Sequence, residues 1–150
     1  MALYFEDLSI GDVFISPART ITETDIVNYS GLSGDYNPLH TNEEYAKKTP
    51  YCKRIAHGLL GLAVAGGLGN QIGIFNGTSM GYIGLEEWTF KAPIFIGDTI
   101  HVRTTIIGKK ETSKPEQGYL KRRVELINQE DDVVQKGIVS MMLKRRTADN

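Results

Sequence analysis

The segment Gly34-Asp35-Tyr36-Asn37-Pro38-Leu39-His40 sets a carboxylate and an imidazole five residues apart. Free aspartate and histidine titrate at about 3.9 and 6.5, so the pair offers a base and an acid near neutral pH. On one helix that spacing sends the two side chains to diverging faces, whereas a non-helical loop stiffened by Pro38 can aim both at one point. Aspartate and histidine in a loop also serve plain structural ends, through Asx turns and surface hydrogen bonds. Taken alone, the segment leaves both uses open.

A second segment, Arg54-Ile55-Ala56-His57-Gly58-Leu59-Leu60, opens an apolar run. Backbone N–H groups at a helix start lack intrahelical acceptors, and the helix dipole is positive there. A glycine in that place lets a ligand approach without a Cβ in the way, so Gly58 can hold an oxyanion such as the enolate of a thioester. A simple helix start is the plainer use of the same residue. His57 beside it reads as site-shaping, not catalytic.

These two segments need elements to hold them. Thr22 and Asp25 form a capping-box pattern, with Ile26, Tyr29 and Leu32 at helical spacing behind it. Asn42-Glu43-Glu44 opens a short helix that ends before Pro50. A long helix is expected from Gly58 to about Phe75; it is apolar on every side and must therefore be covered on every side. Its six glycines through Gly73 disfavour helix and are explained if a curved sheet approaches the backbone closely.

The second half of the chain changes period. Ile100, Val102, Thr104 and Ile106 alternate with polar residues, Leu120, Arg122, Val124 and Leu126 form a partly polar inward register, and Val139, Met141 and Leu143 share a face. With strands near Val13 to Thr20 and Met80 to Phe90, this predicts about five antiparallel strands. Ile-Gly-Asp at 10–12 and again at 96–98 reads as two turns feeding strands. The fold class is α+β, one buried helix against one antiparallel sheet, in a single domain over residues 1–150.

Composition removes several functions. Seventeen basic against eighteen acidic residues give a net charge of −1, so no long-range positive field gathers a nucleic acid backbone. The longest apolar stretch, Gly58 to Gly69, is 12 residues with five glycines, too short to span a bilayer. The N-terminus carries acids early and no leader pattern, and the lone Cys52 fits a reducing compartment; a soluble, cytoplasmic chain is expected. The three histidines are scattered in sequence without a thiolate or carboxylate cluster, so no metal site is expected. Lys47, Lys48, Lys53 and Arg54 can serve coenzyme A phosphates or form a solvated face, and the solvated face is the better reading. Lys144-Arg145-Arg146 reads as a solvated tail.

Together, Asp35, Asn37, Pro38, Leu39 and His40, then Ile55, Ala56, His57 and Gly58, resemble the MaoC-type (R)-specific enoyl-CoA hydratases. The resemblance extends to Phe5-Glu6-Asp7-Leu8 and to Phe90-Lys91-Ala92-Pro93 with Gly97-Asp98, and so covers nearly the whole chain. It implies a hot-dog fold, a sheet wrapped around a central helix. It also implies a hydro-lyase on acyl thioesters, hydrating trans-2-enoyl-CoA or dehydrating (R)-3-hydroxyacyl-CoA. Asp35 and His40 would be the catalytic pair, with the roles of acid and base open, Gly58 the oxyanion donor, and Asn37, Pro38 and His57 the shaping residues. No metal or redox cofactor is implied; the coenzyme A thioester is the substrate, and a homo-oligomer, at least a dimer, is expected. The alternatives are an acyl-carrier-protein dehydratase and a non-catalytic acyl-thioester-binding subunit. One departure stands out: Gly58 to Gly77 contains no serine or threonine, and Gly66 lies where many members carry a serine.

Overall fold

The computed structural model describes residues 2–146. Strands β1 (Val13–Ile15) and β2 (Arg19–Thr20) lead into helix α1 (Glu23–Ser33), the single turns α2 (Pro38–Thr41) and α3 (Glu43–Ala46), and the long helix α4 (Gly58–Gln71). Four long strands follow: β3 (Ser79–Phe90), β4 (Thr99–Glu111), β5 (Gln117–Ile127) and β6 (Val133–Lys144). The sheet order is β1-β4-β5-β6-β3, all antiparallel, with β2 also paired to β4. This is the hot-dog arrangement expected, with six strands in place of five. The N-terminal strand splits into two because Ser16 and Pro17 interrupt it, and proline has no N–H to give a ladder.

Both Ile-Gly-Asp copies are turns that feed strands. Gly11 and Gly97 adopt φ +98° and +94°, and Asp12 and Asp98 accept the N–H of Ser9 and Phe95 at 2.7 and 2.8 Å. The main core joins α4 to the sheet through Leu60, Val64, Ala65 and Leu68 against Ile100, Val102, Leu126 and Val134. Helix α4 stops at Gln71, a turn earlier than expected, because Gly73 takes φ +80°.

Three expectations need correction. First, α4 is not covered on every side: Leu59, Ala63, Gly67 and Asn70 remain exposed. Second, its glycines do not all serve close approach. A Cβ at Gly61 would sit 2.9 Å from Ile94 Cδ1 and against the Gln135 amide, but one at Gly66, Gly67 or Gly69 would meet nothing within 4 Å. Third, Arg145 and Arg146 are not a free tail. They pair with Glu6, Glu111 and Asp7, tying the last strand to the N-terminal turn. Within α1, Leu32 follows the helical spacing yet lies exposed.

Candidate active site

Helix α1 ends on Gly34 in the left-handed conformation, φ +76°, whose N–H closes on Ser30 O at 2.9 Å. The chain turns there and delivers Asp35 to the end of α4. Asn37 then caps the next turn by accepting the Leu39 N–H at 2.9 Å, and Pro38 presets the helical φ. The stretch expected to be wholly non-helical therefore contains one α-turn, Pro38–Thr41. Asp35 lies before that turn and His40 within it, which is how a spacing of five still converges.

His40 is buried, and its Nδ1–H donates to Ile55 O at 2.7 Å. A carbonyl only accepts, so Nδ1 carries a proton and, in the neutral ring, Nε2 is the free acceptor. His57 is also buried and stacks on His40, ring centroids 3.9 Å apart at 28°. Its Nε2–H donates to the Asp35 carbonyl at 3.0 Å, with Ser30 Oγ 3.2 Å away, while its Nδ1 has no partner. Burial, assisted by the neighbouring His40, lowers the His57 pKa, and the hydrogen bond to Asp35 opposes this. His57 is thus a neutral brace between α1, the Asp35 backbone and the His40 ring. The Asp35 carboxylate is exposed and accepts the Asn37 N–H at 3.1 Å.

Asp35, His40, His57 and Gly58 share one cavity of about 430 Å³ with Tyr29, Ser33, Leu59 and Phe90. One donor atom from each of Asp35, His40 and His57 lies within 4.8 Å of the others. The histidines scattered in sequence are thus gathered in space, and the three groups are a formal metal-ligand set. The stacking of the two imidazoles weighs against a zinc ion shared by both rings. A zinc ion bonded at about 2.0–2.1 Å lies close to the plane of each imidazole, and two stacked rings do not bring their planes together at that range.

The sequence reading missed Ser30, Phe90 and Gln135. Gln135 on β6 donates to Gly58 O at 3.0 Å and accepts from Trp88 Nε1 at 3.1 Å, fastening the start of α4 to the sheet. Its signal was a polar residue on the same period-two register of β6 as Val139, Met141 and Leu143. Among the basic residues, Arg54 bridges Glu23 and Glu43 at 2.8 and 2.7 Å, and Lys53 lies over the Phe95 ring. Arg54 is thereby committed to structure.

Comparisons with known proteins bear on the fold and the family. The chain is similar to the double hot-dog protein Rv0216 of Mycobacterium tuberculosis, with a TM-score of 0.81 over 98% of this chain and 46% of that one at 22% identity, a likeness of fold alone. A structure described as a monoamine oxidase regulatory protein from Archaeoglobus superposes with a TM-score of 0.90 over 97% of both chains, at 33% identity. Residues 8–128 match the MaoC like domain, and the chain belongs to that family. It is 42% identical over 106 residues to the (R)-specific enoyl-CoA hydratase of Rhodospirillum rubrum, covering 70% of each protein. It is also 38% identical over 106 residues to the 3-hydroxybutyryl-CoA dehydratase of Methylorubrum extorquens, covering 69% of this chain and 64% of that protein. These relatives place the chain among the hydro-lyases.

Proposed function

We propose that this protein interconverts trans-2-enoyl-CoA and (R)-3-hydroxyacyl-CoA through Asp35 and His40. The observation that carries the reading is the convergence of the His40 imidazole, oriented through Nδ1, the Asp35 carboxylate and the first residues of α4, Gly58 and Leu59, on one cavity. In hydration, His40 Nε2 takes a proton from a water held by Asp35, the oxygen bonds to C3, and the double-bond electrons move to the thioester oxygen. The Gly58 N–H at the positive end of α4 stabilises that oxyanion. The proton on His40 then passes to C2, which restores the thioester and the neutral imidazole. Dehydration is the reverse. The thioester itself acidifies C2, so the scheme needs no metal or redox group.

The proposal includes a homodimer. Strand β3 is the sheet's edge, and it exposes Met80, Tyr82, Ile83, Leu85 and Phe90, an apolar edge that proteins otherwise cover or charge. A second copy paired along β3 covers it. No helix among the described residues is long and apolar enough to cross a membrane, and the exposed thiol of Cys52 suits a reducing, cytoplasmic setting.

The test is incubation with crotonyl-CoA, following loss of the enoyl absorbance, with chiral analysis of the product and a parallel sample after exhaustive chelation. The (R)-3-hydroxy product, formed in both samples, supports the reading; no turnover, or mainly the (S) product, overturns it. Sedimentation of the same sample should show at least a dimer.

A further inference from the structure

Beyond the dyad, α4 lines a second, half-open cavity of about 480 Å³, bordered on its other side by β3 and the sheet. Its volume falls in the range of small-molecule sites. On α4 it is bordered by Leu62, Ala63, Ala65, Gly66 and Gly69, and these continue the stripe that begins at Gly58 and Leu59 in the candidate active site. Leu62 and Ala63 lie one helical turn beyond Leu59. On β3, Trp88 borders this cavity and Phe90, two residues on, borders the other. Side-chain bulk is absent at Gly66 and Gly69, where an added Cβ would meet nothing within 4 Å. From Gly58 to Gly66 is roughly 12 Å at 1.5 Å per residue, the reach of a medium-length chain.

The wall of this cavity is mostly apolar, with a single charged residue. Arg122 on β5 is only 5% exposed, sits opposite Ile106 and Val139 on the neighbouring strands, and borders the cavity together with Thr104. Its guanidinium lies against the rings of Phe75 and Tyr82, 5.4 and 5.7 Å from their centroids. Its Nε has no hydrogen-bond partner, and no carboxylate among the described residues pairs with it. Burial pushes its pKa down, opposed by charge interaction and hydrogen bonding with the Tyr82 side chain, which is neutral and supplies no counter-charge. A buried cation without an anion is costly, and buried charges in folded proteins are paired. Guanidinium presents a planar fork that matches a carboxylate bidentately.

We infer that Arg122 receives the free carboxylate of an ω-carboxyacyl thioester, so that the substrate class is the monothioester of a medium-chain dicarboxylic acid. This rests on the thioester reading above and adds to it the far end of the chain. The thioester lies at Gly58, the methylenes run along Leu62, Gly66 and Gly69, and the terminal carboxylate supplies the charge that Arg122 lacks.

Binding tests this separately from turnover. Titration calorimetry compares the saturated pairs octanoyl-CoA with octanedioyl-CoA and decanoyl-CoA with decanedioyl-CoA, none of which can be hydrated. The expected result is at least tenfold tighter binding of a dicarboxylic member by the natural protein. In Arg122→Met that preference should fall to about one or reverse, and in Arg122→Lys it should persist in part. Circular dichroism confirms folding of each variant, and the Lys variant keeps the comparison readable should Met fail to fold. A ratio near one at both lengths in the natural protein overturns the inference; that is the result expected if a second copy's carboxylate pairs with Arg122. A ratio unchanged in Arg122→Met overturns it as well. Failure of crotonyl-CoA hydration would remove the catalytic reading and leave this binding ratio to be judged by itself.

Discussion

The two ends of the α4 stripe treat buried polar groups in opposite ways. At the mouth, His40 and His57 are held by main-chain carbonyls, Ile55 O and Asp35 O, and the one fully buried ring atom without a partner, His57 Nδ1, is an uncharged acceptor. At the floor, Arg122 carries a full charge among Phe75, Tyr82 and aliphatic side chains, with Nε unpaired. An imidazole held by a main-chain carbonyl is a fixed tool, oriented before any ligand arrives. An unpaired buried guanidinium is an unmet demand, because the cost of burying it is offset only by an anion from elsewhere. On the readings proposed above, the first cavity suits chemistry on a thioester and the second suits selection by charge.

The sharpest way to break the mouth is through the dyad. Asp35→Asn and His40→Gln should each lower kcat about 10²-fold or more, since positioned acid–base groups contribute about 10²–10⁴. The losses should not add, because both residues act on one water. A folded double variant with substantial hydratase activity would remove the dyad from the mechanism.

Gly58→Ala probes the same mouth more gently. A Cβ there would lie 2.9 Å from the Phe90 ring, which is more than half exposed and free to swing aside. The N–H survives, so the fall in kcat/KM should be smaller than the roughly 10²–10³ that follows loss of an oxyanion donor. A thermal melt should change little. Unaltered kinetics would reduce Gly58 to a helix start.

Between the two ends, the glycines of α4 should divide by surroundings. Gly61→Ala forces a methyl onto Ile94 and onto Gln135, which itself holds Gly58 and Trp88, so it should destabilise by about 1–3 kcal/mol. Gly67→Ala meets nothing and should stabilise by up to about 1 kcal/mol through helix propensity. Urea denaturation of both variants decides; equal effects would mean that the sheet does not press on Gly61.

The smallest effect concerns pH. His57 has a lowered pKa in the folded protein, so the unfolded chain takes up its proton first on acidification. Stability from this group is present above about pH 6.5 and is lost as pH falls through the folded value. Melting temperature should therefore decline from pH 7.5 to 5.5, and His57→Gln should flatten that slope. Glu6, Asp7 and Asp25, whose pKa values are lowered by their hydrogen bonds and arginine partners, add losses of the same sign only in more acid solution. A melt that rises on acidification would contradict the neutral brace.

Local chemistry made much of this protein legible from sequence. Thr22 and Asp25 cap α1 as their spacing predicts, the two Ile-Gly-Asp turns feed strands, and the period-two runs are β4, β5 and β6. Asp35, His40 and Gly58 were named as candidates because a carboxylate, an imidazole and a bare helix start are recognisable types at short range. Tertiary structure alone decided what touches what. His57 became the brace of His40 through ring stacking between segments 17 residues apart, and Ser30 and Gln135 entered through contacts 27 and 77 residues distant in the chain. The expectation that α4 is covered all round came from its composition, which records how apolar a helix is but not which neighbours one chain can supply. Arg122 shows the same limit: period two placed it facing inward, and only the folded packing revealed that aromatic rings and no carboxylate among the described residues face its charge.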